Sequence, residues 1–139
     1  MPDPDAATWR KVGVRDGDRL CLLHAPQTWD AGAAGAVDLV RRRTATPADV
    51  VVAFYTTLAA LRREAPVLAE SITPDGMAWV AWPRKAAGHV SDLGDEAVRA
   101  TLLAAGLVDV KVAMLDEDWS GLKFVWRREH RASRLAAVR

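Results

Sequence analysis

The chain has 139 residues, half of them hydrophobic and 27% charged, with a formal net charge of +1. That length suits one domain able to bury about two-thirds of its unfolded surface, and the charge balance excludes a global pull towards nucleic acid or acidic membranes. A single cysteine, Cys21, excludes an internal disulfide, and no run of 18 apolar residues marks a membrane-crossing helix.

The N-terminal "MPDPDAATW" is acidic and proline-bearing, unlike a signal peptide, so a cytoplasmic location is expected. Residues 1–17 read as a tail and turn, residues 18–128 as the domain, and residues 129–139 as a basic tail. After the Asp16-Gly17 turn signal, Arg19 to His24 ("RLCLLH") read as a first buried strand, with Cys21 a small core residue. "APQTWDAGAAG" carries too many glycines for a clear helix. Ala36 to Arg42 read as a second, edge-like strand.

Ala48 to Thr56 form a continuous β-branched and aromatic run, as expected of a central parallel strand buried on both faces. In the next segment Leu58, Leu61, Ala65 and Leu68 share one helical face, with Thr56 or Thr57 as N-cap. Pro66 predicts a kink or break there, since it removes a donor and crowds the preceding turn. "TPDG" (Thr73 to Gly76) reads as a turn leading into the strand "MAWVAWP". A second helix follows, with Val98, Leu102 and Ala105 as its stripe, Ser91 or Asp92 as its cap and Gly106 as its stop. Leu107 to Leu115 alternate, with Val108, Val110, Val112 and Met114 on one face and Asp109 and Lys111 on the other. Leu122 to Arg128 also alternate, and with no helix between them the two strands must pair as an antiparallel hairpin.

Together these segments predict an α/β fold: a Rossmann-like mixed sheet of about six strands, with strands 1, 3 and 4 side by side and the last strand antiparallel. The succession strand, helix, "TPDG", strand, helix, strand, "WSG", strand resembles the C-terminal half of a class I S-adenosylmethionine-dependent methyltransferase over about Asp18 to Arg128, and that resemblance implies strand 6 beside strand 4, in the order 2-1-3-4-6-5. More closely, "LLHAP", "WVAWPRK", "AAGLVDVKV" and "DWSGLKFV" resemble an uncharacterised bacterial family of short Rossmann-like proteins, which implies a fold and no established activity.

The methyltransferase resemblance implies a glycine-rich cofactor loop after the first strand and an acidic residue at the end of the second. Here Ala25 and Pro26 follow His24, and the second strand ends in Arg41, Arg42 and Arg43, with Asp38 too early to substitute. Pro26 fixes φ and removes a donor where the backbone would have to approach a cofactor. No cofactor is therefore expected, and no His or Cys spacing suggests a metal.

Ligands of open α/β sheets bind beyond the carboxyl ends of the parallel strands. His24, Pro26, Tyr55, Trp82, Arg84 and Lys85 are thereby predicted to enclose a small crevice, aromatic and cationic, suited to a flat ring or an anion. His24 reads either as a proton shuttle or as a histidine bonded to nearby backbone. His89 and His130 read as solvated. Trp79 and Trp126 fit the core, whereas Trp29, Trp82 and Trp119 sit at strand ends or loops, where exposure would favour a partner surface.

Two functions follow. One is a degenerate methyltransferase-like domain acting on a protein or small-molecule partner, with a second copy of the chain admitted and a membrane or nucleic acid disfavoured. The other is a minimal transferase or other enzyme using the crevice, although the sequence assigns no catalytic residue.

Overall fold

The computed structural model describes residues 19–26, 38–42 and 48–129, with the side chains of 38–42 outside the description. The expectations for Trp29, His130, the N-terminal segment and the basic tail lie outside these residues. Strands β1 (Arg19–Leu23), β2 (Asp38–Arg42), β3 (Ala48–Phe54), β4 (Ile72–Pro83), β5 (Leu107–Met114) and β6 (Trp119–Trp126) form one sheet in the order β2-β1-β3-β4-β6-β5. β1 pairs parallel with β2 and β3, and β3 pairs parallel with β4. β6 lies antiparallel between β4 and β5.

β1 and β3 are buried on both faces, which their unbroken apolar runs require. Cys21, Leu23, Val51, Ala53, Val80 and Phe124 face α1 (Leu58–Glu70) and α2 (Asp95–Ala104), which contribute Leu61, Leu68, Val98 and Leu102 to the same cluster. Leu20, Leu22, Val50, Val52 and Trp79 form a second buried cluster through the other face. Cys21 is fully buried, as its place in the first strand predicts.

Several local expectations are corrected. β1 ends at Leu23, because His24 turns into the left-handed region at φ 57. β3 ends at Phe54, although Tyr55 N still donates to Ala81 O at 3.0 Å. The expected turn Thr73 to Gly76 is instead part of β4: Ala48 pairs with Ile72 but Val50 with Met77, so the extra residues bulge from the ladder. Gly76 is needed in that bulge, since a Cβ there would lie 2.7 Å from both Asp49 O and Thr73 Oγ1.

Thr57 caps α1, its hydroxyl accepting from Ala60 N at 3.2 Å. The helix runs unbroken through Pro66, so of the expected kink or break the break does not occur; Ala65 just before the proline and Leu68 two residues after it are anchored in the core. α2 has Gly94 at its N-cap position and so lacks a side-chain cap. Ser91 and Asp92 act elsewhere: Ser91 Oγ donates to Thr56 O at 2.8 Å, and Asp92 Oδ1 accepts from Leu58 N at 2.8 Å.

In the hairpin, β6 begins at Trp119 rather than Leu122 because Asp116 Oδ1 closes the turn, accepting from Asp118 N and Trp119 N. β5 does not alternate throughout. Asp109 pairs with Phe124 and Lys111 with Lys123, leaving Val110 as the bulged residue and sending Asp109 and Lys111 to opposite faces. Val110, Val112 and Met114 are exposed on this edge strand.

Candidate functional site

At the carboxyl ends of β1 and β3 the chain builds a hydrogen-bonded cluster. His24 leaves β1 in a conformation uncommon for any residue but glycine, which turns its ring towards α1. There its Nε2 lies 2.7 Å from Glu64 Oε1. Tyr55 donates its hydroxyl to the same oxygen at 3.1 Å, and the His24 and Tyr55 rings meet edge to face at 5.6 Å. Tyr55 is buried, and that burial, reinforced by the Glu64 charge, pushes its phenol well above the ordinary range near 10. His24 and Glu64 stay partly open, with side chains 31% and 29% exposed.

Around the carboxyl end of β4 lies a separate groove of about 640 Å³. Trp82, Leu93, Val112 and Met114 give it apolar walls, Arg84 and Lys85 supply cations, and Asp95 adds one carboxylate. Arg84 is also structural: its N donates to Asp118 O at 2.8 Å and its Nη1 to Glu117 O at 2.6 Å. His89 Nε2 meets Asp118 Oδ1 at 2.9 Å, so the segment 84–89 is strapped to the β5–β6 turn. His89 is thus partnered rather than simply solvated. Gly88 makes the strap's reversal at φ 90, after the 3-10 turn Lys85–Ala87.

The predicted crevice is therefore divided. His24 and Tyr55 come together with Glu64, Trp82 joins Arg84 and Lys85 in the groove, and neither His24, Pro26 nor Tyr55 lines that groove. Tyr55 and Trp82 belong to one buried cluster. Trp82 is only 7% exposed and Trp119 packs edge to face on Phe54 at 4.9 Å, so these tryptophans are not the open surface that their loop positions suggested. Glu64 is the residue that sequence reading missed. Its only signal is its place in α1 three residues after buried Leu61 and one before buried Ala65, on the flank of the core-facing stripe.

Among the described residues no group of three or more His, Cys, Asp or Glu side chains could hold a metal ion, and no helix is long and apolar enough to cross a membrane. No family model matches the chain, and no curated protein matches it in sequence. Solved structures do match. The magnesium protoporphyrin IX methyltransferase of Synechocystis PCC 6803, with bound SAM, superposes with a TM-score of 0.63 at 13% identity, over 88% of this chain and 76% of its own.

The fold is methyltransferase-like. The CcbJ methyltransferase of Streptomyces caelestis matches at TM-score 0.58 and 10% identity, over 91% of this chain and 90% of its own. The ribosomal protein L11 methylase of Lactobacillus delbrueckii subsp. bulgaricus matches at 0.56 and 11%, over 90% and 78%. In such a sheet the residue beside the carboxyl end of β1 is set by register: Leu23 pairs with Arg42 of β2. An arginine therefore ends β2 at the position where the resemblance implied an acidic residue.

Proposed function

We propose that this methyltransferase-like domain works by binding a protein or small-molecule ligand and does not use the methyl-donor loop of its structural neighbours. The observation that carries this reading is the exit from β1, where His24 at φ 57 leads into Ala25 and Pro26. A cofactor loop needs small residues and free backbone donors close to the ligand, and Pro26 has no N–H to give. The ligand site is the groove at the end of β4. Its indole and aliphatic walls suit a flat or apolar body, and Lys85 suits an anionic end. Native mass spectrometry of freshly purified protein tests the reading. A retained ligand, partner or second copy, lost on W82A or K85E, supports it; a bare monomer whose mass and stability respond to no small anion or partner contradicts it.

A second reading, a minimal transferase or other enzyme working at the carboxyl ends of β1 and β3, is favoured by one contact. The His24–Glu64 pair at 2.7 Å gives an imidazole at a strand end the carboxylate partner that proton transfer uses. A fold alone carries neither function.

A further inference from the structure

We propose that His24 and Glu64 form a proton-accepting dyad, positioned by Tyr55, whose substrate is a small molecule carrying an ionisable O–H or N–H. The proposal rests on the second reading only in placing chemistry at this strand end.

The contact selects a tautomer. An ionised carboxylate only accepts, so where the His24 ring is neutral the 2.7 Å contact between Glu64 Oε1 and His24 Nε2 calls for the ring hydrogen on Nε2. The remaining nitrogen, Nδ1, is then the one with a lone pair, and the His24 ring makes no other hydrogen bond among the described residues. Tyr55 spends its one proton on the same Glu64 oxygen at 3.1 Å. It therefore cannot compete for the imidazole; it orients the carboxylate and, through the edge-to-face contact at 5.6 Å, the ring.

The backbone supports the same conclusion. His24 holds φ 57, a sparsely populated region for a side-chain-bearing residue, and such strain concentrates where a site needs a side chain aimed in one direction. The ring nevertheless stays 31% exposed, so a small solute can reach it. The His89–Asp118 pair provides a contrast within the molecule. It is longer, at 2.9 Å, more exposed at 43% and 61%, and has no third group bonded to its carboxylate among the described residues.

The step itself is a proton transfer. The substrate X–H bond breaks, the proton bonds to Nδ1 and the electron pair stays on X. The imidazolium so formed keeps its Nε2–H on the Glu64 carboxylate, whose charge stabilises it, and the reverse transfer restores the neutral ring. His24 is the catalytic residue in this account; Glu64 and Tyr55 are positioning residues.

Long-range proton–nitrogen NMR of the full chain, above the imidazole titration, reads the tautomer directly. The dyad requires Nε2–H with Nδ1 unprotonated, and an Nδ1–H tautomer overturns it. The second readout is acylation by diethyl pyrocarbonate, in which a ring nitrogen takes an ethoxycarbonyl group and ethyl carbonate leaves, followed peptide by peptide by mass spectrometry. E64Q is expected to slow His24 modification several-fold and leave His89 unchanged, with E64D restoring part of the rate. A His24 rate unmoved by E64Q also overturns the dyad. Either failure overturns the dyad and leaves the binding reading untouched, since that one rests on Trp82 and Lys85 in the separate groove.

Discussion

Asp92 caps a helix to which it does not belong. Its Oδ1 accepts a hydrogen bond from Leu58 N, the first residue of α1, at 2.8 Å, while Thr57 caps the same helix end through Ala60 N. With Ser91 holding Thr56 O, the segment before α2 is thereby fixed to the start of α1, at the same end of the sheet as both candidate places. D92A leaves the Leu58 N–H to solvent and removes an anion from a helix N-terminus. A loss of about 1 kcal/mol is expected, and T57A should cost a similar amount. Urea denaturation of both single variants and the double variant checks this; the losses should add to within a few tenths of a kcal/mol only if the two caps act independently.

Pro66 sits in the interior of α1, on its exposed side, where it deprives Arg62 O of a helical donor. P66A is expected to raise stability by about 1–3 kcal/mol, the upper figure being the intrinsic penalty for proline inside a helix. The gain is reduced because proline also restricts the unfolded chain. A midpoint of urea unfolding that fails to rise would show that the helix is already bent to accommodate the ring.

The bulge in β4 depends on Gly76. An added methyl group would meet a backbone oxygen, Asp49 O at 2.7 Å, which has little freedom to move. G76A should therefore cost about 1–3 kcal/mol, the range for overpacking a tight site, whereas G94A, where no atom lies within 4 Å of the added carbon, should cost less. Thermal unfolding of the pair gives the comparison.

Tyr55 ties stability to alkaline pH. Its phenol is raised by burial and by Glu64, so the folded protein keeps it protonated while the unfolded chain ionises it near pH 10. The associated stability is present below that pH and is lost as pH rises above it, because only the unfolded state gives up the proton. Y55F should be less stable near neutral pH, having lost the bond to Glu64, yet should show a shallower decline between pH 10 and 12. Equal slopes for the two proteins would mean that Tyr55 ionises alike in both states.

The sheet was legible because its information is local. The unbroken runs in β1 and β3 state that both faces are covered, and the absence of a helix between β5 and β6 forces the hairpin, so the neighbours β1, β3 and β4 and the β5–β6 pair follow from sequence pattern and connection lengths, whereas the place of β6 beside β4 was implied by the methyltransferase resemblance. The turn signal "TPDG" misled because proline and glycine also fit a bulge, and only the pairing of Val50 with Met77 tells the two apart. Asp92 misled for the same reason, since an N-cap carboxylate can serve any helix end within reach. The site was the least legible part. Glu64 lies 40 residues from His24, and nothing in either segment records that packing α1 on the sheet brings them to 2.7 Å.

The central claim, that the end of β1 does not serve a methyl donor, is tested most directly by isothermal titration calorimetry of the purified full chain with S-adenosylmethionine and, separately, with its demethylated product. The exit from β1 through His24, Ala25 and Pro26, with Arg42 beside Leu23, predicts no specific heat of binding for either compound. One-to-one binding of S-adenosylmethionine at micromolar concentration, weakened by substitution at Pro26 or Arg42, would contradict the account.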